Sequence, residues 1–188
     1  FIATEDYRFY QHKGIDFRGI LRAVYQDIKA GKKVQGGSTI TQQLVKNLFF
    51  TQEKLFFRKI FEMAYAIRIE QQYSKEQILE FYLNSIYFGH GTWGVQGASE
   101  VYFGKPVREL ATAEAAMISA LAKSPEYYSP FRNPEAAMKR RNLILNLMGK
   151  HGYLEKAEVE RLSREPINSL ERPGSTHVGA YFVDYVLA

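Results

Sequence analysis

Apolar residues recur at helical spacing along almost the whole chain, and cap signals divide that pattern into separate helices. Phe17, Ile20, Leu21, Val24 and Ile28 follow i, i+3, i+4, i+7, i+11, with Asp16 able to cap the start and Gly31 the end. The polar stretch Gly31 to Gly37 reads as a mobile loop. Thr39 and Gln42 have capping-box spacing, ahead of a stripe of Ile40, Leu44 and Leu48. A doubled apolar cluster, Leu48-Phe49-Phe50 and Leu55-Phe56-Phe57, precedes a helix face of Ile60, Met63, Ala64 and Ile67. Ser74 and Gln77 form a second capping box before Ile78, Leu79, Tyr82, Leu83 and Ile86. Gly89 to Gly94 is a glycine-rich loop. Thr112 can cap a helix to about Lys123, Asn133-Pro134 can start one that ends near Gly149, and a charged helix follows from Glu155 to about Arg164. From Pro166 the composition is that of a linker, and Val178 to Leu187 suits a strand or a short helix. The expected fold class is mainly α.

The 188 residues suffice for one domain with a real core, or a domain plus a small lobe, and 46% hydrophobic content argues against wholesale disorder. A net charge of +5 favours anionic partners without choosing among nucleic acid, phosphates and a membrane surface. The absence of cysteine excludes disulfides and Cys-ligated metals. No apolar run approaches the roughly 20 residues that span a bilayer. The chain opens at Phe1 and closes mid-pattern at Ala188, so it reads as a piece of a longer protein.

Four clusters carry potential chemistry. Glu5 and Asp6 are adjacent acids in an aromatic neighbourhood with Phe9, and His12 follows; this suits a general base, or simply acids favouring the dipole at a helix start. Gly36 to Asn47 combines glycines and a helix start, which can present N–H groups to an anion, with Gln43, Lys46 and Asn47 on one face; a capped helix with a solvated face is the simpler explanation. Arg58 and Lys59 stand four and three residues before Glu62, close enough to pair, with the acid C-terminal to the cations, the weaker orientation for helix stability. Glu80 and Asn84 are polar and four apart, and suit buried structural groups as readily as ligands. Spacing alone favours the structural reading of the first three and leaves the fourth even.

Order and combination say more. The chain resembles the peptidoglycan glycosyltransferase family, found in class A penicillin-binding proteins and as monofunctional enzymes. Glu5-Asp6-Tyr7-Arg8-Phe9 with His12 and Gly14 is similar to its first motif, and Gly37-Ser38-Thr39-Ile40-Thr41-Gln42-Gln43 to its second. Arg58-Lys59 with Glu62 is similar to the third, Ile78-Leu79-Glu80 with Tyr82-Leu83-Asn84, Tyr87 and Gly89 to the fourth, and Arg140-Arg141-Asn142 with Leu145 to a less specific fifth.

The resemblance implies a lysozyme-like main lobe with a smaller membrane-proximal jaw at about 24–57, the catalytic domain covering 1–165 and a linker at 166–188 leading to a downstream transpeptidase. Phe49-Phe50 and Phe56-Phe57 are candidates either for membrane contact or for internal packing. The implied reaction polymerises lipid II into β-1,4-linked glycan strands with inversion and release of undecaprenyl pyrophosphate, at the extracytoplasmic face of a bacterial inner membrane. Glu5 would be the base and Glu62 a second essential carboxylate. Asp6, Phe9, His12, Ser38, Thr39, Gln43, Lys46, Asn47, Arg58, Lys59, Glu80 and Asn84 would bind substrate, with Lys46, Arg58 and Lys59 facing pyrophosphate. No cofactor or metal is required, and a divalent cation would act only as a stimulant. Expected partners are lipid II, the lipid-linked strand, the membrane surface and other cell-wall synthesis proteins, and not nucleic acid. The alternatives are a lysozyme-like muramidase, which has no need of the Lys46, Arg58 and Lys59 set, and a non-enzymatic basic module, whose cations would not fall beside motif acids.

Overall fold

The computed structural model describes residues 1–31, 36–49 and 57–170. Among these residues the regular structure is helical apart from one short hairpin and an isolated bridge between Lys13 and Ile15. The helices are α1 (Ile2–Glu5), α2 (Phe17–Ala30), α3 (Ile40–Phe49), α4 (Arg58–Gln72) and α5 (Lys75–Ser85), followed after the hairpin by α6 (Gly94–Phe103), α7 (Thr112–Leu121), α8 (Pro134–Lys150) and α9 (Lys156–Arg164). Strands β1 (Tyr87–Gly89) and β2 (Thr92–Trp93) pair antiparallel across His90 and Gly91, so part of the glycine-rich loop is a hairpin turn. The mainly α expectation holds.

Helix α7 is the centre of the body. Seven of its ten residues are buried, among them Met117, Ile118 and Leu121, so beyond its first turn it is enclosed rather than amphipathic. Phe9, Ile40, Leu44, Ile78, Tyr82, Phe88, Tyr102, Ile144 and Leu145 complete one continuous core with it. Helix α8 lies along α7, and α3 packs against both α4 and α5. Arg141 is almost fully buried; its guanidinium donates to the Ser163 and Pro166 carbonyls, and the Asn142 amide donates to Ser163, so this pair fastens α9 to α8.

Local signals fixed some helix ends, but Asp16 precedes α2 without making the side-chain cap bond expected of it. Ser74 and Gln77 make both bonds of a capping box, and so do Thr39 and Gln42. Gly31 ends α2 in the left-handed conformation with φ of 64°. Thr112 is not the cap of α7: the helix begins at Thr112 itself, and the Glu114 carboxylate accepts from the Ala111 N–H before it. That helix ends at Leu121 rather than near Lys123.

The orientation of two helices differs from the pattern's plain reading. In α4 the regular apolar set is turned outward, with Ile60 and Ile67 exposed, while Glu62 and Ala66 face inward. The inward face is chosen by what α4 meets: Gly14 lies against the Ala66 backbone, and Ser38 accepts from Lys59, which also holds the Glu62 carboxylate. In α2, Phe17, Leu21, Val24, Tyr25 and Ile28 are exposed and only Gly19 and Ala23 are buried. Leu48 is exposed as well, although Ile40 and Leu44 of its stripe are fully buried.

Within 24–57, α3 contributes to the core while the end of α2 stands outside it. Phe49 and Phe57 are exposed. Phe50, Phe56, most of the loop expected at Gly31 to Gly37 and the tail from Val178 lie outside the described residues. Residues 166–170 run across the body: Ile167 packs on the core and the Leu170 N–H donates to the Tyr102 carbonyl.

Candidate active site

The single helical turn of α1 ends at Glu5, and the chain then bends so that Glu5 and Asp6 face different surroundings. Asp6 is buried. Both its oxygens lie 2.9–3.0 Å from His12 Nε2, and Oδ2 also accepts from the Ile40 N–H at 3.1 Å. An anion at the first N–H of α3 satisfies an orphan donor and complements the helix dipole. Thr39, just ahead of it, donates its hydroxyl to the Gly14 carbonyl at 2.6 Å. Gly14 has φ of +86°, and a Cβ there would lie 2.9 Å from the Ala66 backbone, so this crossing accepts no side chain. Asp6, His12, Gly14 and Thr39 together pin α3 and α4 to the first segment.

Glu5 opens on a cleft of about 470 Å³. Its Oε2 accepts from Gln43 Nε2 at 3.0 Å, and the Tyr82 hydroxyl lies 3.2 Å from Gln43 Oε1. Tyr82 is buried, and burial, with the charges on Glu5 and Asp6, pushes its hydroxyl well above the ordinary range. It therefore remains a donor, and because it donates to the amide oxygen, the amide NH₂ is turned toward Glu5. This relay holds the Glu5 carboxylate as a hydrogen-bond acceptor.

At the same cleft, Ser38 accepts from Lys59 Nζ at 2.8 Å, and the same ammonium reaches Glu62 Oε2 at 2.9 Å. Glu62 is 3% exposed. Arg58 Nε lies 3.2 Å from its other oxygen, an ion contact without hydrogen-bond alignment. A buried carboxylate thus holds two half-exposed cations, one of which touches a cleft residue. That differs from an exposed surface pair, which stabilises a helix by only about 0.2–0.5 kcal/mol.

The structure therefore brings Glu5, Asp6, Ser38, Thr39 and Gln43 to one cleft, with Lys59, Glu62 and Arg58 at its margin. Lys46 and Asn47 continue the Gln43 face of α3 and are exposed. Phe9 has no exposed surface, and His12 is occupied with Asp6, so both stand behind the cleft. Glu80 is exposed on α5, and Asn84 lines a separate apolar groove with Leu48, Phe49 and Tyr65.

Sequence reasoning passed over Arg22 and Lys123, which also line the cleft with Arg140. Arg22 donates to the Tyr7 hydroxyl and lies over that ring, whose stacking partner is His151 at 4.5 Å. Arg22 is one of three cations on α2, with Arg18 and Lys29, so nothing local singled it out, and Lys123 had no signal beyond its place before a helix stop.

The family described as Transglycosylase matches residues 1–149. Penicillin-binding protein 1F of Bacillus subtilis (strain 168) is 52% identical over 159 residues, covering 85% of this chain and 22% of that protein. Penicillin-binding protein 1A of Aquifex aeolicus (strain VF5) is 47% identical over 186 residues, covering 99% of this chain and 26% of that one. The chain thus spans about a quarter of the length of these relatives. The crystal structure of penicillin-binding protein 1A from Haemophilus influenzae superposes with a TM-score of 0.51 at 26% identity, over 78% of this chain and 19% of that one.

Proposed function

The chain belongs to the transglycosylase family and is a peptidoglycan glycosyltransferase domain, and we propose that Glu5 is the base with which it polymerises lipid II into β-1,4-linked strands. The observation that carries this reading is the relay from Tyr82 through Gln43, which leaves a carboxylate aimed into the cleft as a proton acceptor. The acceptor's 4-hydroxyl gives its proton to Glu5 as its oxygen bonds to the donor's anomeric carbon. The bond from that carbon to the pyrophosphate breaks, the leaving group takes the electron pair, and the α-linkage inverts to β. Lys59, Arg58 and Lys46 meet the charge that develops on the pyrophosphate, with Glu62 aiming the first two. Ser38 and Asn47 would contact donor sugar or phosphate. Side chains thus take the part of a metal, and a divalent cation would act as a stimulant only.

The alternative of a lysozyme-like muramidase is not favoured: the matched family is a transglycosylase, and hydrolysis of murein has no leaving pyrophosphate for these cations to meet. Incubating the chain with lipid II and, separately, with purified murein tests the choice. Polymer from lipid II with intact murein is the expected result; release of fragments from murein without polymer would reverse it.

No described helix is long and apolar enough to cross a membrane. The outward face of α2, with Phe49 and Phe57, supports contact with the extracytoplasmic surface of the inner membrane, where lipid II would be reached. We place the chain in a longer protein with a downstream transpeptidase and cell-wall synthesis partners, a reading supported by the length and names of its relatives.

A further inference from the structure

Thr41, Glu70 and Lys75 form a polar chain inside the body, and none of the three lines the cleft. The Glu70 side chain is 5% exposed. Its Oε1 accepts from the Thr41 hydroxyl at 2.5 Å and from Lys75 Nζ at 2.7 Å. Thr41 is fully buried. The Lys75 ammonium also lies over the Phe9 ring, 4.3 Å from its centre, and Phe9 is fully buried too. Thr41 belongs to α3, Glu70 to the last turn of α4, and Lys75 opens α5, so three helices and the first segment meet at one ion pair. Apolar side chains of like volume would hold these elements at least as well. What the polar chain adds is direction, since a hydroxyl must point at its acceptor and a packed methyl group need not.

That direction bears on Gln43. Two residues along a helix is a turn of about 200°, so Thr41 and Gln43 leave α3 on nearly opposite sides. One side is anchored at Glu70, and the other carries the amide that donates to Glu5 at 3.0 Å. Asp6 on the Ile40 N–H and Thr39 on the Gly14 carbonyl fix where α3 begins. Thr41 fixes how far the helix is turned about its axis. Across the same hydrogen bond, Phe9 follows Glu5 by four residues, and its ring meets Lys75 on its face and His12 edge-on at 6.3 Å. The Glu70–Lys75 pair therefore touches both elements that the Glu5–Gln43 hydrogen bond joins.

On the reading above that Glu5 is the base, we infer that Thr41, Glu70 and Lys75 are positioning residues for the transfer, which set the rotation of α3 and with it the reach of the Gln43 amide to Glu5. They touch no substrate. Without the Thr41 hydroxyl, α3 turns slightly, and the Gln43 side chain carries that turn outward until its amide leaves the carboxylate. Lys46, long and exposed, follows a small rotation without losing its reach. The loss therefore falls on the rate of transfer rather than on the binding of lipid II.

The test uses the full chain with lipid II. Thr41→Val keeps the shape and removes the hydroxyl; it should lower kcat about tenfold and move KM by less than about twofold. Thr41→Ser keeps the hydroxyl and should recover roughly half or more of the wild-type kcat. The double variant Thr41→Val/Tyr82→Phe should lose less than the product of the two single losses, because both act on the Gln43 amide. Lys75→Met keeps the stem and removes the ammonium; it should follow Thr41→Val in both parameters, and it carries the test if a melting curve shows Thr41→Val unfolded. A lower melting temperature with unchanged kcat would overturn the inference and leave the chain a structural brace. A rise in KM alone would overturn it too, as would multiplicative losses in the double variant or a Thr41→Ser enzyme as slow as Thr41→Val. Failure of the base assignment is read separately, as near-normal turnover of Glu5→Gln.

Discussion

The Glu62 carboxylate lies 2.9 Å beneath the Lys59 ammonium and is shielded from water, while the lysine itself is half exposed. An acid in that position costs folding free energy unless its partners are kept, so the pair reads as a device for aiming charge rather than as a helix brace.

Glu62→Gln should retain the helical circular dichroism spectrum and lose about 10²-fold in lipid II turnover, the scale of losing one transition-state donor. Lys59→Ala should lose a similar factor, and the double variant should lose less than the product of the two, because both act through one ammonium. Moenomycin, a phosphoglycolipid inhibitor of this family, should bind Lys59→Ala and Lys46→Ala more weakly. Turnover of Glu62→Gln within twofold of wild type would return the residue to a surface-pair role.

On the proposed reading, Glu5→Gln removes the base and keeps the size. Polymer formation should fall by about 10²–10⁴-fold, the usual contribution of general base catalysis, with an unchanged spectrum. Near-normal turnover in a folded variant would mean that another group takes the proton.

Tyr82→Phe deletes the hydroxyl that turns the Gln43 amide toward Glu5. With the amide free to flip, kcat should fall about tenfold and KM should change little, at a stability cost of about 1 kcal/mol. A matching loss in KM alone would show that the relay serves binding and not the proton acceptor.

Burial, reinforced by Lys150 and Arg22, lowers the His151 pKa below its ordinary 6.5. The folded chain therefore binds this proton less readily than the unfolded chain does. Stability from this site is present above pH 6.5 and is lost as the pH falls through the lowered folded value. His151→Phe keeps a ring against Tyr7 but cannot titrate, so its melting temperature should drop less than the wild type's between about pH 7.5 and about pH 5.5. Parallel profiles would show that other groups set the acid sensitivity.

What could be read without coordinates was mostly local. The boxes at Thr39–Gln42 and Ser74–Gln77 formed because each needs only its own four residues. Which side of a helix turns inward is a long-range matter. The spacing of Ile60, Met63 and Ile67 was right for a helix, yet the contacts with Gly14 and Ser38 set the Glu62–Ala66 side inward. The α2 stripe likewise satisfies helical periodicity while facing out, a pattern that fits a chain with two solvents to meet. At the site, Glu5 and Gln43 are 38 residues apart, so only resemblance suggested that they meet. Nothing in the neighbourhood of Arg22 or Lys123 announced the cleft.

Glu5 and Asp6 are consecutive, and only one of them is free to serve the cleft, since the other is spent on His12 and the first N–H of α3. The position of the Glu5 carboxylate is thereby tied to whether that helix has been nucleated and docked. A screen that scores only activity would flag both acids as indispensable and could not tell the chemist from the scaffold. Separating them takes a refolding or proteolysis measurement, in which Asp6 variants should open the chain and Glu5 variants should leave it closed.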